Sequence, residues 1–360
     1  MMFGIAAAGS GGHVYPALAV AEVLMSRGIA QSDIVFFGGD RMEADVIPAA
    51  GFPFVQVQIH GIRRSLSADN LTLPLKVRTA RNVIADTIRQ RNIGAMVVFG
   101  GYVAGPAALA ARKTGIPLIV HEANAQPGVA NRLIARKADT VFASYAPALS
   151  KLPMAEIIGS PLRSEFSEFD RHEARTTARQ HYGVDQDASV LGIVGGSLGA
   201  SALNEIARAL ASVDRRGFEI IHICGRAHAE EFTAISQGVD GWVVAGYEDD
   251  MSMLYAASDL VLSRGGAMTI AELHATRTPA VIVPLPAGGA YQGMNAMDAV
   301  DAGGFIVVDQ EDTAQITDTV TALLNDPDRL AQMSDALADS PHLSAATIVA
   351  ERLLEVSGDR

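Results

Sequence analysis

The sequence has little cysteine, little charge and few aromatic residues, and these scarcities exclude several classes of protein. Its 360 residues include a single cysteine, Cys224, which excludes an internal disulfide and fits a reducing compartment. Charged residues make up 19% and apolar residues 49%, which is the composition of a globular chain and not of a disordered one. The net charge of −12 argues against nucleic acid as a partner.

Membrane-spanning and metal-binding signals are also missing from the sequence. No apolar run reaches the roughly 18–20 residues that a spanning helix needs, and no basic leader precedes the first apolar segment. We therefore expect that segment to be a buried strand. The metal-binding patterns His-Glu-x-x-His and paired Cys-x-x-Cys do not occur. Asp326-Pro327-Asp328 is typical of a helix–helix turn and Glu248-Asp249-Asp250 of a helix N-cap, so the sequence predicts no metal site.

What the sequence does contain is a repeated alternation of short apolar runs and helical patterns. This alternation predicts an α/β protein with parallel sheets and right-handed crossovers. The length exceeds one ordinary core, so we expect two domains. Residues 145–166 contain three prolines and little periodicity, which places the connection near Gly159-Ser160-Pro161. The predicted domains are 1–160 and 161–339, and a last helix within 340–360 is expected to pack back on the first domain.

Two glycine-rich stretches, residues 8–13 and 195–200, stand about 185 residues apart. Each follows an apolar run and precedes a helical pattern. A strand, a glycine turn and a helix N-terminus form an anion site, because free backbone N–H groups point outward and the helix dipole adds about half a positive charge. Two such units indicate two similar domains with a cleft between them.

The first stretch fails the dinucleotide-binding fingerprint. Val14 stands where the third glycine belongs, and Gly38-Gly39-Asp40 follows the second strand in place of an acid at its end. An NAD site is thus disfavoured, and the glycines could instead serve only a tight turn. His13 lies at the predicted helix start, where the dipole disfavours its charged form and leaves a neutral imidazole able to accept a proton. The alternative is an unreactive capping histidine.

The second stretch has the spacing of the nucleophile elbow of a serine hydrolase. Residues 195–199 match G-x-S-x-G in a strand–turn–helix context, with Ser197 as the nucleophile. Asp259 and His274 follow in the required order, and His60-Gly61 could form an oxyanion loop. Against this interpretation, the motif opens a second domain and leaves the first glycine stretch unexplained. As a phosphate site, the same loop needs only the hydroxyl and backbone N–H of Ser197.

A third candidate loop, residues 263–272, follows an apolar run and opens a helix. Backbone N–H groups of residues 267–269 could hold a diphosphate, and Thr269 could add its hydroxyl. Glu272 lies one turn further along, where an acceptor-only carboxylate suits two vicinal ribose hydroxyls. Alternatively, Glu272 only complements the helix dipole, which is worth about a few tenths of a kcal/mol. With three helix N-termini for phosphate, a nucleotide requires no divalent ion here.

Residues 60–91 depart from the acidity of the chain, because seven cations stand there against two acids. Leucines are interspersed among these charges, and such a surface suits an anionic membrane, at roughly 1 kcal/mol per cation. The alternative is an ordinary solvated helix whose leucines face the core. The predicted membrane patch consists of Arg63, Arg64, Leu71, Leu75, Lys76, Arg78 and Arg81.

Eight motifs run in a consistent order across about 300 residues: 9–19, 40–44, 100–106, 121–124, 159–163, 195–200, 263–272 and 292–296. In these motifs the chain resembles the MurG family of glycosyltransferases, glycosyltransferase family 28. The resemblance implies a GT-B fold, in which two Rossmann-like, doubly wound parallel-sheet domains face each other across a cleft. The N-terminal domain is then expected to face the acceptor and the membrane, and the C-terminal domain to bind the UDP-sugar.

The resemblance also implies a reaction. N-acetylglucosamine is transferred with inversion from UDP-N-acetylglucosamine (UDP-GlcNAc) to the C4 hydroxyl of N-acetylmuramic acid in undecaprenyl-pyrophosphoryl-N-acetylmuramyl-pentapeptide (lipid I), giving lipid II and UDP. The expected place is the cytoplasmic face of the bacterial cell membrane, as a peripheral protein of peptidoglycan synthesis. Other cell-wall synthesis or division proteins are expected as partners, and no cofactor is implied. His13 is the candidate base. The matched donor-site positions are Ser10, Gly11, Gly12, Asn124, Arg163, Ser197, Glu248, Ala267, Met268, Thr269, Glu272 and Gln292.

The chain departs from the family pattern at several positions. Ala8 stands where glycine is usual, Ser10 where threonine is usual, and Gly265 where serine is usual. Tyr291 replaces the first residue of a Gln-Gln pair, which affects one sugar-hydroxyl contact. Glu248 falls where the family reads the uracil edge through its backbone, and such a contact tolerates a change of side chain. The rival functions are a UDP-GlcNAc 2-epimerase, another GT-B UDP-sugar transferase, a sugar-nucleotide sensor without catalysis and the serine hydrolase.

Overall fold

The computed structural model describes residues 1–59, 73–196, 199–212, 217–286 and 291–358. The chain forms two compact units. The first combines Met1–Ser164 with Pro341–Arg360, and the second is Glu165–Ser340. Each unit has its own sheet of parallel strands, so the predicted α/β class with two parallel sheets is confirmed.

The first sheet has the strand order β3-β2-β1-β4-β5-β6-β7. Its strands are β1 (Met2–Ala6), β2 (Ile34–Gly38), β3 (Phe54–Gln56), β4 (Ile93–Val98), β5 (Leu118–Glu122), β6 (Thr140–Ala143) and β7 (Glu156–Ile157). The helices that accompany it are α1 (Gly11–Ser26), α2 (Glu43–Ala49), α3 (Leu73–Arg91), α4 (Ala104–Thr114) and α5 (Val129–Ala135).

The second sheet has the strand order β10-β9-β8-β11-β12-β13. Its strands are β8 (Ser189–Val194), β9 (Phe218–Ile223), β10 (Trp242–Ala245), β11 (Leu260–Ser263), β12 (Ala280–Ile282) and β13 (Phe305–Val307). The helices are α6 (Ser164–Ser167), α7 (Arg171–Tyr182), α8 (Ser201–Ser212), α9 (Ala229–Ser236), α10 (Met251–Ala257), α11 (Ala267–Ala275), α12 (Tyr291–Asn295), α13 (Met297–Ala302), α14 (Thr313–Leu324) and α15 (Pro327–Asp335).

The central strands are buried on both faces, which explains their continuous apolar sequences. In β1, Ile5 packs in the core that contains α1, whereas its neighbour Ala6 packs in the core that contains α4. The strand order reverses between β1 and β4, and again between β8 and β11. In open α/β sheets, ligands bind at the carboxyl ends of the strands beside such a reversal. The two glycine stretches follow β1 and β8, so they lie at these two points.

The last helix, α16 (His342–Gly358), packs against α1 and β4 of the first unit. Its Val349 and Leu353 are fully buried in the same core as Leu18 of α1. Burial of a side chain of this size stabilises by roughly 1.5–3 kcal/mol. At the helix start, the backbone N–H of Ser160 donates to His342 Nδ1 at 2.8 Å. The segment that leaves the first unit and the segment that re-enters it are therefore joined there.

Strand β7 and helix α7 are among the elements that the sequence prediction lacks, because their signals are weak. Strand β7 lies in the segment interpreted as an aperiodic connection, and its two residues pair with Phe142 and Ala143 of β6. Helix α7 is polar, and its only apolar residues are Ala174, Ala178 and Tyr182, at helical spacing. Its caps were visible nevertheless, because Asp170 Oδ1 accepts from the N–H groups of His172 and Glu173, and Gly183 follows at φ 69°.

The structure defines helix boundaries at three places in the second unit. The segment after residue 290 forms two helices, α12 and α13, with Ala296 between them, where the sequence pattern predicts one. Asp326 lies in the turn between α14 and α15, as the sequence predicts, and it caps α15, because its Oδ1 accepts from Arg329 N at 3.0 Å. Asp250 caps α10 as the sequence predicts, because its Oδ1 accepts from Ser252 N at 3.0 Å.

Candidate functional site

The first glycine loop connects β1 to α1 and leaves the first turn of the helix accessible. Gly9 has φ +100°, a conformation that favours glycine. Helix α1 begins at Gly11, and the Ser10 hydroxyl contacts His13 Nδ1 at 3.3 Å instead of capping the helix amides. Ser10 is exposed, and Gly11 and Gly12 are half-buried. This arrangement suits an anion at the helix start.

His13 is held by the loop in a defined orientation. Its Nδ1 lies 3.0 Å from the backbone oxygen of Ala8, and since a carbonyl can only accept, the proton is on Nδ1. The other ring nitrogen, Nε2, then carries the lone pair. Burial of the imidazole lowers the pKa of His13, although the Ala8 carbonyl and the charge of Glu43 act in the opposite direction. The ring is thus neutral and able to accept a proton, with burial as the main cause, whereas the sequence argument relied on the helix dipole.

Glu122, at the end of β5, organises the loop that carries Asn124. One carboxylate oxygen accepts from Asn124 N at 3.0 Å, and the other accepts from Gly128 N at 3.1 Å and Asn131 Nδ2 at 3.0 Å. Burial raises the pKa of Glu122, and these hydrogen bonds partly offset the rise. Asn124, a predicted donor-site residue, is half-buried on this fixed loop. The neighbouring His121 donates to Gly159 O at 3.0 Å, and burial lowers its pKa to about 4.

Arg163 lies at the end of the first unit and packs over an aromatic ring. Its guanidinium carbon is 5.2 Å from the ring centroid of Tyr15, which follows His13 in α1 by two residues. Such a cation–π contact is worth about 0.5–1 kcal/mol at a partly exposed site. The contact holds a cation next to the first glycine loop, and the donor-site role of Arg163 stays a prediction.

The second glycine loop, after β8, is a turn that requires glycine. Gly199 has φ +76°, and a Cβ there would lie 2.3 Å from the backbone oxygen of Cys224. Asn204 Nδ2 donates to the same oxygen at 3.0 Å. Cys224 is fully buried, and burial raises the pKa of its thiol. Ser197 itself lies outside the described residues, so its predicted role stays a prediction.

The third loop, before α11, packs tightly against α12. A Cβ on Gly265 would lie 2.2 Å from the backbone oxygen of Gln292, so the serine usual in the family would not fit this arrangement. Asn295 Nδ2 donates to Gly265 O at 2.9 Å, and Gln292 Oε1 accepts from Leu285 N at 3.0 Å. The loop is therefore fixed from α12. The first turn of α11 consists of Ala267, Met268 and Thr269, of which Met268 and Thr269 are half-buried.

Glu272 and Glu248 both accept a hydrogen bond from a tyrosine. Tyr255 Oη donates to Glu272 Oε2 at 2.8 Å, which leaves the half-buried carboxylate oriented by a rigid ring. Tyr182 Oη donates to Glu248 Oε2 at 2.6 Å, and Asp250 N donates to Glu248 Oε1 at 2.9 Å. Both oxygens of Glu248 thus accept hydrogen bonds from the protein, and the contact of its backbone with uracil that the resemblance implies stays a prediction.

Comparisons with known proteins decide the family. The family model described as the Glycosyltransferase family 28 N-terminal domain matches residues 3–143, and the one described as the Glycosyltransferase family 28 C-terminal domain matches residues 190–349. The chain belongs to glycosyltransferase family 28. Its fold of two parallel sheets is shared by the solved structures of MurG and of a UDP-GlcNAc 2-epimerase.

Curated relatives match this family 28 chain over nearly its whole length. The enzyme from Mycobacterium sp. (strain KMS) is named UDP-N-acetylglucosamine–N-acetylmuramyl-(pentapeptide) pyrophosphoryl-undecaprenol N-acetylglucosamine transferase, and it is 39% identical over 98% of this chain and 95% of its own length. The equally named enzyme of Clavibacter sepedonicus is 39% identical over 99% and 96%.

Solved structures share the architecture. Acinetobacter baumannii MurG superposes with a TM-score of 0.75 and 28% identity, covering 98% of this chain and 99% of its own. UDP-GlcNAc 2-epimerase from Neisseria meningitidis superposes with a TM-score of 0.71 at 13% identity, covering 98% of this chain and 100% of its own. The likeness to the epimerase concerns the fold alone.

The serine hydrolase alternative lacks its acid in this family 28 chain. Asp259 Oδ1 is 2.7 Å from Arg175 Nη2, and Asp259 Oδ2 is 2.9 Å from Arg179 Nη2 and 2.8 Å from Val190 N. Both carboxylate oxygens are thus engaged within the structural core of the second unit. Burial lowers the pKa of His274 to about 4. The order Ser197, Asp259, His274 in the sequence is therefore not a catalytic triad.

Two negative findings hold for the residues that the structure describes. Among them, no group of three or more His, Cys, Asp or Glu side chains is placed to hold a metal ion. None of the helices described is long and apolar enough to cross a membrane.

The predicted membrane patch is only partly described. Arg63, Arg64 and Leu71 lie outside the described residues. On α3, Leu75 is 66% exposed, Arg78 is exposed, and Lys76 and Arg81 are half-buried, with Arg81 donating to Asn82 Oδ1 at 2.9 Å. Leu75 is therefore not a core residue, and the alternative in which the leucines of this helix face the core does not apply to it.

Three residues near these loops escaped the sequence analysis. Glu43 and Tyr102 contact each other and the first glycine loop, and both belong to motifs to which we assigned no role. Arg264, within the third loop, donates to Val283 O at 2.9 Å and to Gln310 Oε1 at 2.6 Å. For Arg264 the available signal was a cation at the end of a continuous apolar run, Leu260-Val261-Leu262.

Proposed function

We propose that this enzyme transfers N-acetylglucosamine from UDP-GlcNAc to the C4 hydroxyl of the N-acetylmuramyl unit of lipid I, giving lipid II and UDP. The observation that carries the choice of substrates is the 39% identity, over 98% of the chain, with a transferase whose name specifies that donor and acceptor. The geometry of the loops supplies the groups that such a reaction needs.

The proposed step is a single displacement at C1 of the sugar. The acceptor oxygen forms a bond to C1 while the bond from C1 to the β-phosphate oxygen breaks, and the electron pair of that bond leaves with UDP. The configuration at C1 inverts, which gives a β-1,4 link. The proton of the acceptor hydroxyl goes to Nε2 of His13, the ring nitrogen that carries the lone pair because Nδ1 donates to Ala8 O.

The leaving UDP carries developing negative charge, and the loops offer groups that stabilise it. The first-turn amides of α11, in Ala267, Met268 and Thr269, are proposed to bind the diphosphate, together with Arg163. Ser10, Gly11 and Gly12 at the start of α1, Asn124 and Ser197 are proposed to complete the donor site. Glu272 is proposed to accept from the two ribose hydroxyls, the backbone of Glu248 to read the uracil, and Gln292 to bind the sugar.

We further propose that the first unit docks on an anionic membrane surface. On α3 the exposed Leu75 lies beside Lys76 and Arg78. On α5, Val129 and Leu133 are 69% and 66% exposed, one turn apart on the same side of the helix. Helix α4 packs against both α3 and α5. The cations exposed on α4, on α5 and directly after it are Arg112, Lys113, Arg132, Arg136 and Lys137.

Exposed leucine and valine beside cations, with few acids, favour a lipid surface over water. Each cation close to anionic headgroups contributes roughly 1 kcal/mol, and the apolar side chains add the free energy of their own burial. The expected location is the cytoplasmic face of the cell membrane, where lipid I would be reached from the surface. Partners among wall-synthesis and division proteins stay an expectation from the resemblance.

The function is tested with the purified full-length enzyme, labelled UDP-GlcNAc and a short-chain lipid I analogue. We expect labelled disaccharide lipid and UDP in equal amounts, with both substrates required. Conversion of UDP-GlcNAc without the acceptor would instead support an epimerase. Binding of UDP-GlcNAc without turnover would support a sensor, and labelling of Ser197 by a fluorophosphonate would support a hydrolase.

The membrane proposal is tested by cosedimentation with phosphatidylcholine vesicles, with and without phosphatidylglycerol. Binding should require the anionic lipid and should fall in the Val129→Ser/Leu133→Ser and Lys76→Glu/Arg78→Glu variants. Arg329→Glu, an exposed charge reversal in the second unit, is the matched control and should bind like the wild type. Equal binding to both vesicle types, or equal binding by all variants, would contradict the proposal.

A further inference from the structure

One buried carboxylate joins three loops at the carboxyl edge of the first sheet. Glu43, the first residue of α2, is fully buried. Its Oε2 accepts from Gly9 N at 3.1 Å, in the loop after β1, and its Oε1 accepts from Gly39 N at 3.0 Å, in the loop after β2. The hydroxyl of Tyr102, in the loop after β4, also donates to Oε1.

The loops are shaped for this contact. A Cβ on Gly39 would lie 2.2 Å from Tyr102 Oη, so a larger residue at position 39 would displace the tyrosine hydroxyl. Gly101 has φ +74°, and a Cβ there would lie 2.1 Å from the backbone oxygen of Ala8. The tyrosine loop therefore packs directly on the peptide that precedes Gly9.

The peptide unit between Ala8 and Gly9 is held from both ends. Its N–H donates to Glu43 Oε2 at 3.1 Å, and its carbonyl oxygen accepts from His13 Nδ1 at 3.0 Å. A peptide whose N–H donates to an anion is polarised, so its carbonyl becomes a stronger acceptor. The carboxylate thus acts on the imidazole through this one peptide, which is hydrogen-bonded to the carboxylate at its N–H and to the imidazole at its carbonyl.

The carboxylate is ionised in this position. Burial alone would raise the pKa of Glu43, but hydrogen bonds from Tyr102, Gly9 and Gly39 outweigh burial and the pKa lies below its ordinary value. Arg41, whose guanidinium carbon is 5.5 Å from the centroid of the Tyr102 ring, adds a cation on the far side of the tyrosine.

We propose that Glu43 is a positioning residue for His13: through the Ala8–Gly9 peptide it holds the imidazole with its proton on Nδ1 and its lone pair on Nε2. The inference rests on the proposed function only in taking Nε2 as the proton acceptor. An acid, a hydrogen-bonded relay and a histidine are the parts of the Ser-His-Asp triad too, where an aspartate fixes the tautomer by direct contact. Here a peptide stands between the acid and the ring.

The first measurement does not depend on turnover. In ¹⁵N spectra of the free enzyme, with His13 assigned by comparison with His13→Gln, the wild type should show the Nδ1–H tautomer alone. Glu43→Gln keeps the shape but removes the charge, so a second tautomer of His13 should appear. The titration of His13 should also move to lower pH by about 0.5 unit or more, because a carboxylate that favours the imidazolium is lost. The titratable groups that act on His13 are Glu43 on α2 and His121 on β5.

The second measurement uses the transfer reaction. In Glu43→Gln we expect kcat to fall about 10- to 100-fold while KM for UDP-GlcNAc changes less than about twofold, because the base and not the donor site is affected. Tyr102→Phe should show a smaller loss of the same kind, and Glu43→Asp, which keeps the charge, should recover part of kcat. Glu351→Gln, which removes an exposed carboxylate paired with Arg27, should match the wild type.

The outcomes separate this inference from the proposed function. An unchanged His13 tautomer and titration in a folded Glu43→Gln variant would overturn the inference, whatever the enzyme transfers. So would an equal rise in KM with kcat preserved, since that would mean a donor-binding or purely structural role. If Glu43→Gln does not fold, Tyr102→Phe decides in its place. Altered tautomers in an enzyme that transfers no GlcNAc would support the positioning role and contradict only the proposed reaction.

Discussion

The glycine loop before α1 and the glycine loop before α11 have the same local structure but different surroundings. Each follows a buried strand and opens a helix, so each offers backbone N–H groups to an anion. Beneath the first loop lie Glu43 and His13, an ionised acid and a neutral imidazole. Beside the other lies the guanidinium of Arg264, which is bound to carbonyl oxygens. If both helix starts bind an anion as proposed, the first loop differs among the described residues in having a neutral imidazole beside it that can accept a proton.

The two loops therefore share their backbone structure and differ in the titratable side chains that contact them. Sequence motifs identify the glycines, whereas the titratable groups that contact them come from other strands. The following predictions test this difference between the two units, beginning with the largest effect.

Removal of the imidazole should affect the chemical step and spare the donor site. In His13→Ala we expect kcat to fall about 10²- to 10⁴-fold, the usual contribution of a general base, while KM for UDP-GlcNAc changes little. Steady-state assays across the pH range provide the measurement. In the wild type the acidic limb of kcat/KM should lie below about pH 6.5, because burial lowers the pKa of His13 in the free enzyme. Near-normal turnover of His13→Ala at every pH would exclude a base at this position.

In both units, replacement of a glycine by alanine should destabilise strongly where the added Cβ would meet backbone atoms, and weakly where the space around the glycine is open, although φ is similar. Gly101→Ala and Gly199→Ala place a Cβ 2.1 Å and 2.3 Å from a backbone oxygen, and should each cost about 2–4 kcal/mol of unfolding free energy. Gly115→Ala and Gly183→Ala have similar φ and open space around the site, and should cost about 1 kcal/mol.

Denaturant unfolding followed by two probes assigns each effect to a unit. Trp242 is the single tryptophan of the chain and lies in the second unit, so its fluorescence reports Gly199 and Gly183. Far-ultraviolet circular dichroism reports both units. Equal losses for the tight and the open member of a pair would show that backbone conformation alone, and not the close contact, requires glycine.

Loss of the Glu272 carboxylate should affect donor binding and spare the base. Glu272→Ala should raise KM for UDP-GlcNAc about 10- to 100-fold, equivalent to about 1.5–3 kcal/mol for hydrogen bonds to a charged group. Tyr255→Phe removes only the hydroxyl that orients Glu272 and should give a smaller rise. Donor kinetics that are unchanged in Glu272→Ala would remove the ribose role.

The buried histidines should make both units less stable in mild acid. Burial lowers the pKa of His121, His222 and His274 to about 4, from 6.5 in the unfolded chain. The unfolded state therefore binds more protons between these values, and stability falls as the pH drops from about 6.5 towards 4. Each histidine should contribute about 2 kcal/mol between about pH 7 and pH 5. Glu122, whose pKa is raised, has the opposite effect, because its contribution is lost as the pH rises.

The variant His222→Gln tests this dependence in the second unit. His222 Nε2 lies 3.0 Å from Asn204 Oδ1, and a glutamine can supply a donor without titrating. The slope of unfolding free energy against pH should become shallower by the contribution of one histidine. A slope equal to that of the wild type would show that His222 is already protonated in the folded state.

The sequence predicts well those features whose signals are local. The loops after β1 and β8 and before α11 were identified because a glycine turn stands between an apolar run and a helical pattern. The N-cap at Asp250 and the helix–helix turn at Asp326 were also identified, because each lies in a short cluster of acids next to a helical pattern. The contact of Glu43 with Gly9 was not, because residues 34 positions apart meet only through the pairing of β1 with β2.

The arginine partners of Asp259 were missed for a related reason. Its position after Ser197 made it the acid of the disfavoured hydrolase alternative, but two arginines of α7 engage its carboxylate. Helix α7 was itself absent from the prediction because its sequence is polar. Since that helix was not recognised, the sequence did not show that the carboxylate of Asp259 belongs to the packing of the second unit.

The single cysteine has a consequence for how the second unit can be followed in solution. The carbonyl of Cys224 lies directly under the Gly199 turn, and its thiol is buried. An alkylating reagent can reach this sulfur only when the structure around it opens, and no other thiol of the 360-residue chain competes for it. The rate of alkylation therefore reports, without any engineered label, how often the second unit opens locally around Cys224.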